Sequence, residues 1–375
     1  MVKDFLKGTH ARWGLSCADC HGGDPSAEDE DEAMDEDAGF IGSPAREDIP
    51  KFCARCHSDP NYMRGFNPNI STDQYSKYLI SGHGMRLTKS ADPKVAVCTS
   101  CHGVHGILPA DNPVSPVFVT NIPSTCAACH ADSAYMADRD IPTDQLHEYQ
   151  SSVHGQALLE KGDRAAPACS GCHGSHEARI PDPSGVANTC AQCHNYVREL
   201  FVSSPHKEAH EKYDYPECEV CHGNHAIQAP TDAMLSQGSG GVCVECHEPD
   251  SKGMKAAMRM RVSIDSLTAI IDSAATLVNL ARTIGMDAEE AEYQLRQASD
   301  ELVKSRALVH AFAPDRVTEV TEQGAEFARQ AAGGGADLLE QFTFRRRGFI
   351  LSVIIILALS ALLTLKIRTL PPSAE

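Results

Sequence analysis

The chain has 375 residues, a formal net charge of −18 and 16 cysteines. So acidic a balance argues against nucleic acid as a partner. The cysteine count directs attention to disulfide, metal or cofactor chemistry.

In chain order, the first segment, MVKDFLKGTHARWG, carries lysines but no apolar stretch of the kind an export signal has, so no export signal is visible. The pentapeptide CADCH follows, and all 16 cysteines fall into eight copies of its CxxCH pattern. The thiols are Cys17 and Cys20, Cys53 and Cys56, Cys98 and Cys101, Cys126 and Cys129, Cys169 and Cys172, Cys190 and Cys193, Cys218 and Cys221, and Cys243 and Cys246. The closing histidines are His21, His57, His102, His130, His173, His194, His222 and His247. Disulfides would not require a histidine after every second cysteine. Zinc sites built from CxxC pairs leave that histidine equally unexplained, and iron–sulfur clusters use other spacings. CxxCH is the attachment signal of a c-type haem. Cysteines at i and i+3 share one face of a helical turn, and the histidine at i+4 lies over the same face. Two thioethers and one proximal imidazole can therefore serve one porphyrin. Eight covalently attached haem c groups are expected, with the porphyrins themselves forming the core.

Between the first two motifs lies EDEDEAMDED, residues 28–37, in which eight of ten residues are acidic. It reads as a solvated loop, or as a docking patch for a cationic partner or a cation.

The stretches STDQYSKYLISGHG and PTDQLHEYQSSVHG match at an offset of 71 residues, and the same offset carries Cys98, His102 and His105 onto Cys169, His173 and His176. A shortened copy runs from Cys190 through His206 to CEVCHGNH. The unit is CxxCH, a helical linker, SxH, then CxxCHGxH. Repeats at about 53–105, 126–176 and 190–225 are thus expected, flanked by single motifs at 17–21 and 243–247. Each unit adds two histidines outside the pentapeptides: His83 and His105, His154 and His176, His206 and His225. His10 takes the corresponding place at the N-terminal end. These seven are candidates for distal ligands of haem iron, and His147 and His210 compete for the eighth place. His102 occupies its own iron, so His105 is expected to reach an adjacent haem.

These CxxCHGxH and SxHG patterns resemble the multihaem c-type cytochrome superfamily, with its low-potential tetrahaem cytochromes and doubled-CxxCH domains. Membrane-tethered quinol-dehydrogenase cytochromes and octahaem hydroxylamine oxidoreductases belong to the same broad group. The resemblance covers residues 10–247.

From Ser251 the pattern becomes helical. Ile264, Leu267, Ile271, Ala274, Val278 and Ala281 keep a three-four spacing, as do Ala291, Leu295, Ala298, Leu302, Val309 and Phe312. Gly285 and Asp287 read as a stop and a new start, Pro314 opens a third helix, and the glycines at 333–335 are expected to end it. His310 lies in this stretch and is not read as a ligand. Part of the helical surface could serve an oligomer. Phe349 to Leu365 is an uncharged run of 17 residues, about 26 Å of helix, and is expected to cross a membrane. Arginines 345–347 would by charge bias lie in the cytoplasm. Haem attachment, which takes place outside the cytoplasm, demands the opposite, with the haems in the periplasm and the short PPSAE tail inside.

The expected fold is mostly α with extensive irregular loops: an octahaem domain of repeated dihaem units over 1–250, a helical hairpin or bundle over 251–335, and a juxtamembrane segment with one transmembrane helix (349–365) over 336–375. The expected function is electron transfer through mostly bis-histidine haems in a respiratory chain. It would link a membrane-embedded, quinol-oxidising oxidoreductase to extracytoplasmic redox proteins, with the chain read as an electron-carrier subunit of that complex sooner than as an enzyme. The alternative is an octahaem oxidoreductase acting on a small nitrogen or sulfur species at one open haem.

Overall fold

The computed structural model describes residues 1–181 and 183–369, without the side chains of residues 183 and 184; the PPSAE tail lies outside the described residues. The described residues contain helices and turns but no strand. They form two compact units, the first of residues 1–193 with 214–229, the second of residues 194–213 with those from 230 onward. A single boundary at residue 250 therefore does not describe the chain. The reason is packing: Leu200 and Leu235, both before that boundary, belong to the apolar core formed by the later helices.

The first unit is built of short helices, and five of its haem motifs take one of two local forms. In one form the motif is a single turn, as in Cys17–His21, Cys98–His102 and Cys169–His173. Each of these turns stops at a glycine of positive φ, Gly22, Gly103 or Gly174, a conformation that a side chain would strain. In the other form the motif ends a nine-residue helix that begins with a proline in its first turn: α1 (Ile49–His57) and α4 (Ile122–His130). The proline restricts φ where no backbone donor is needed, and so sets where the motif begins.

Between them lie α2 (Gln74–Ile80), α3 (Gly82–Ser90) and, one repeat later, α5 (Gln145–Ser151). The repeat extends to individual hydrogen bonds. The Ser81 hydroxyl donates to the Tyr78 carbonyl at 2.6 Å and accepts from Gly84 N–H at 2.9 Å. Ser152 does the same with Tyr149 and Gly155, at 2.7 and 3.0 Å. The hydroxyls of Tyr78 and Tyr149 donate to the carbonyls of Ala96 and Pro167, again 71 residues apart. A Cβ on Gly84 or Gly155 would overlap the carbonyl of that tyrosine, so the glycine of SxHG is required by close backbone approach.

In the second unit, α6 (Asn195–Val202) and α7 (Pro205–Tyr213) accompany a three-helix bundle of α8 (Lys252–Thr283), α9 (Glu289–Leu308) and α10 (Pro314–Thr369). The expected stripes face inward: Ile264, Leu267, Ala274, Val278 and Ala281 are buried on α8, as are Ala291, Ala298 and Leu302 on α9. The three glycines do not end the third helix, which continues through them to Thr369. A Cβ on Gly335 would come within 3.0 Å of the Val278 backbone, and one on Gly334 within 3.3 Å of Ala291. Gly334 and Gly335 let α10 approach its neighbours closely. Packing of that kind outweighs the intrinsic cost of glycine in a helix, about 1 kcal/mol each.

Candidate haem-binding site

The first unit brings motif histidines and non-motif histidines into facing pairs. His57 faces His10 with ring centroids 6.0 Å apart, His21 faces His105 at 6.2 Å, and His130 faces His83 at 6.0 Å. His102 faces His176 at 6.1 Å, and His173 faces His225 at 5.9 Å. Within the second unit His247 faces His206 at 5.8 Å. Two imidazoles bound to opposite faces of one metal ion, through bonds of about 2 Å plus the ring radii, stand roughly 6 Å apart. The gap in all six pairs is therefore the width of one bis-imidazole iron.

The pairing has a register that periodicity alone does not reveal. The histidine before a doubled motif faces the motif after next: His10 precedes Cys17 and faces His57, while His83 precedes Cys98 and faces His130. The histidine three residues after a motif faces backward by two motifs: His105 faces His21, His176 faces His102 and His225 faces His173. One backbone hydrogen bond ties the two kinds together at each step, from Thr9 N–H to the Ile107 carbonyl at 2.7 Å, Gly82 to Ala178 at 2.9 Å, and Val153 to Ile227 at 2.8 Å. Each such strap holds the segments of two distal candidates side by side: His10 with His105, His83 with His176, and His154 with His225. His154 is half-buried and holds in its repeat the place of His83. His147 stands on the exposed side of α5, whereas His210 is buried against Phe201 at 5.3 Å.

Environment favours the neutral, metal-binding form of these rings. Burial lowers the pKa of His10, His57, His83, His102, His130, His176 and His225 below the ordinary imidazole value. For His206 burial, then the neighbouring His247 and His210, push it down to about 4. The outer nitrogen is fixed as well in two motif histidines, since His21 Nδ1 lies 2.7 Å from the Gly42 carbonyl and His173 Nδ1 lies 3.0 Å from that of Arg179. A carbonyl only accepts, so Nδ1 carries the proton and Nε2 presents its lone pair.

The thiols form a row. All 16 are free. Cys53 neighbours Cys98, Cys126 neighbours Cys169 and Cys190 neighbours Cys218, each pair close enough for one thiol to shift the pKa of the other. Cys20 interacts electrostatically with Cys56, Cys101 with Cys129, and Cys172 with Cys190. Successive motifs, from the first to the seventh, thus neighbour one another in chain order through their attachment residues.

Residues 9–131 match the family model described as Cytochrome c3. That match supports a multihaem c-type cytochrome. It spans the first four motifs together with His10, His83 and His105. No curated protein and no solved structure matches the chain. The cytochrome c3 family implies covalently bound haem c, and the residues here fit it: paired thiols beside one imidazole, with a second imidazole facing it across an iron-sized gap. The carboxyl-terminal part of α10 is apolar, with a mean hydropathy of 2.7 over its best 18 residues, none of them buried. It is the candidate membrane anchor. Helix α8 is also long and apolar, but its apolar stripe forms the core of the bundle.

Proposed function

We propose that the chain is a membrane-anchored electron conduit carrying eight haem c groups, each held by one CxxCH motif. The observation that carries this reading is the set of facing histidine pairs, 5.8–6.2 Å apart. In it His10, His83, His105, His176, His206 and His225 serve as distal ligands, and His154 joins them by its place in the repeat. Haem supplies reversible one-electron chemistry. The protein would hold each porphyrin through the two thiols of its motif, its facing histidines would close most of the irons on both sides, and neighbouring attachment points lie in a row. Two imidazole ligands lower the reduction potential relative to histidine with methionine, which suits exchange with a low-potential donor such as a quinol-oxidising membrane oxidoreductase. The α10 segment would hold the haems on the extracytoplasmic side, and soluble redox proteins would exchange electrons there.

The test is turnover. The purified full-length protein in detergent should be fully reduced by a low-potential donor and reoxidised by an external acceptor. It should show no turnover of hydroxylamine, nitrite or sulfite. Sustained turnover of any of these at one site per chain would replace the conduit reading with that of an oxidoreductase.

A further inference from the structure

The last haem motif and the apolar end of α10 belong to one compact unit, and the helices between them set their separation. The His247 imidazole lies against the first turn of α8, since a Cβ on Gly253 would meet that ring at 2.4 Å. From there α8 runs beside α10 in the same direction. Arg259 pairs with Asp315 at 2.7 Å, and the hydroxyls of Ser263 and Thr318 meet at 3.3 Å. Farther along, a Cβ on Gly324 would touch Leu267, and one on Gly335 would touch the Val278 backbone. The register is steady, so Thr283, the last residue of α8, is level with a part of α10 that still precedes Arg345. All 32 residues of α8 therefore separate His247 from the arginines that open the apolar run, about 48 Å at about 1.5 Å per residue. A tilt of about 20° from the bilayer normal, common for membrane helices, would leave about 45 Å.

The bundle offers no relay across this span. All eight attachment motifs precede Lys252. Its interior is apolar from Met254 and Ile264 at one end to Val278 and Ala331 toward the other, which makes it a packed rod and not a loose tether. Tunnelling falls off steeply with the gap between redox centres, and no single step crosses that length of protein. The motif itself is open to a partner, with Val244, Glu245 and Cys246 all exposed.

We propose that the three-helix bundle is a rigid spacer that holds the haem on Cys243 and Cys246 about 45 Å clear of the bilayer, and that this haem exchanges electrons with a redox protein whose cofactor stands outside the membrane, not with quinol dissolved in it. This rests on the readings of His247 as a haem ligand and of α10 as the membrane anchor. In each exchange one electron leaves the partner's reduced cofactor and takes the haem iron from ferric to ferrous, with no bond made or broken at the iron.

The full-length, haem-loaded protein is placed in phosphatidylcholine vesicles with a fluorophore on Arg346→Cys or, at the far end of the bundle, on Lys255→Cys. Haem quenches a nearby fluorophore, so the lifetime should be at least tenfold shorter at Lys255→Cys than at Arg346→Cys. The unlabelled parent gives an independent reading. Long-tailed menaquinol confined to the vesicle bilayer should leave its haems oxidised, and a reduced soluble tetrahaem cytochrome added outside should reduce them. Equal quenching at the two labels, reduction by the bilayer quinol, or no reduction by the soluble cytochrome would each overturn the proposal and leave the haem sites and the anchor standing. A protein that does not float with the vesicles, or a peptide holding Cys243 and Cys246 that lacks the mass of a haem, would overturn both the proposal and the readings beneath it.

Discussion

The two units of this chain solve the problem of a core in different ways. In the unit from 230 onward, with residues 194–213, Met254, Ile264, Leu267, Leu302, Val317 and their neighbours bury one another in a continuous apolar cluster. A second cluster gathers around Val278 and Ala331. Among the described residues both clusters lie wholly in this unit. The unit of residues 1–193 and 214–229 instead has short helices and turns ended by glycine, and its best-aligned side chains are half-buried histidines separated by the width of an iron. One region is a bundle held by hydrophobic burial, worth roughly 25 cal/mol per Å² of apolar surface removed from water. The other is a lattice of cofactor attachments whose apolar filling is to be supplied by porphyrin. Chain length alone does not give a region a core; what the chain brings into contact does.

The largest effect that would break this comparison concerns haem supply. A chain made in a compartment that cannot attach haem should leave residues 1–193 and 214–229 open to protease, while a helical fragment beginning near Lys252 survives, as read by limited proteolysis and mass spectrometry. Equal resistance of both regions would show that the first unit has a side-chain core after all.

A smaller effect would sharpen the comparison inside the bundle. Gly335→Leu forces a side chain into the 3.0 Å approach to α8 and should destabilise the bundle by about 1–3 kcal/mol. Gly333, which faces open space, should tolerate Gly333→Ala and gain up to about 1 kcal/mol. Thermal melts followed by far-ultraviolet circular dichroism check both, and neither change should alter the haem absorption. A Gly335→Leu melt equal to that of the parent would remove close packing as the reason the glycines sit within the helix.

Much of this architecture was legible in the residues, because the chemistry of haem attachment leaves a rigid signature. Two thiols three apart and a histidine one further on cannot be spread over a sequence, so the motifs stand out, and the 71-residue offset exposes the histidines between them. The register of pairing was not legible. It depends on straps such as Gly82 to Ala178, bonds between backbone groups that no side chain advertises. The glycines at 333–335 read as a stop because local propensity was weighed without the neighbours α8 and α9, whose proximity reverses the argument. The boundary at 250 failed for a similar reason, since Leu200 and Leu235 join a core formed mainly by residues after it.

The central claim is that every motif carries a haem and every iron is closed on both faces. The most direct measurement combines intact mass with spin quantitation on the oxidised, full-length protein. We expect a mass eight haems above that of the polypeptide, and a paramagnetic resonance spectrum that integrates entirely to low-spin ferric iron. A mass of seven haems or fewer, or a high-spin signal near one per chain, would contradict the account.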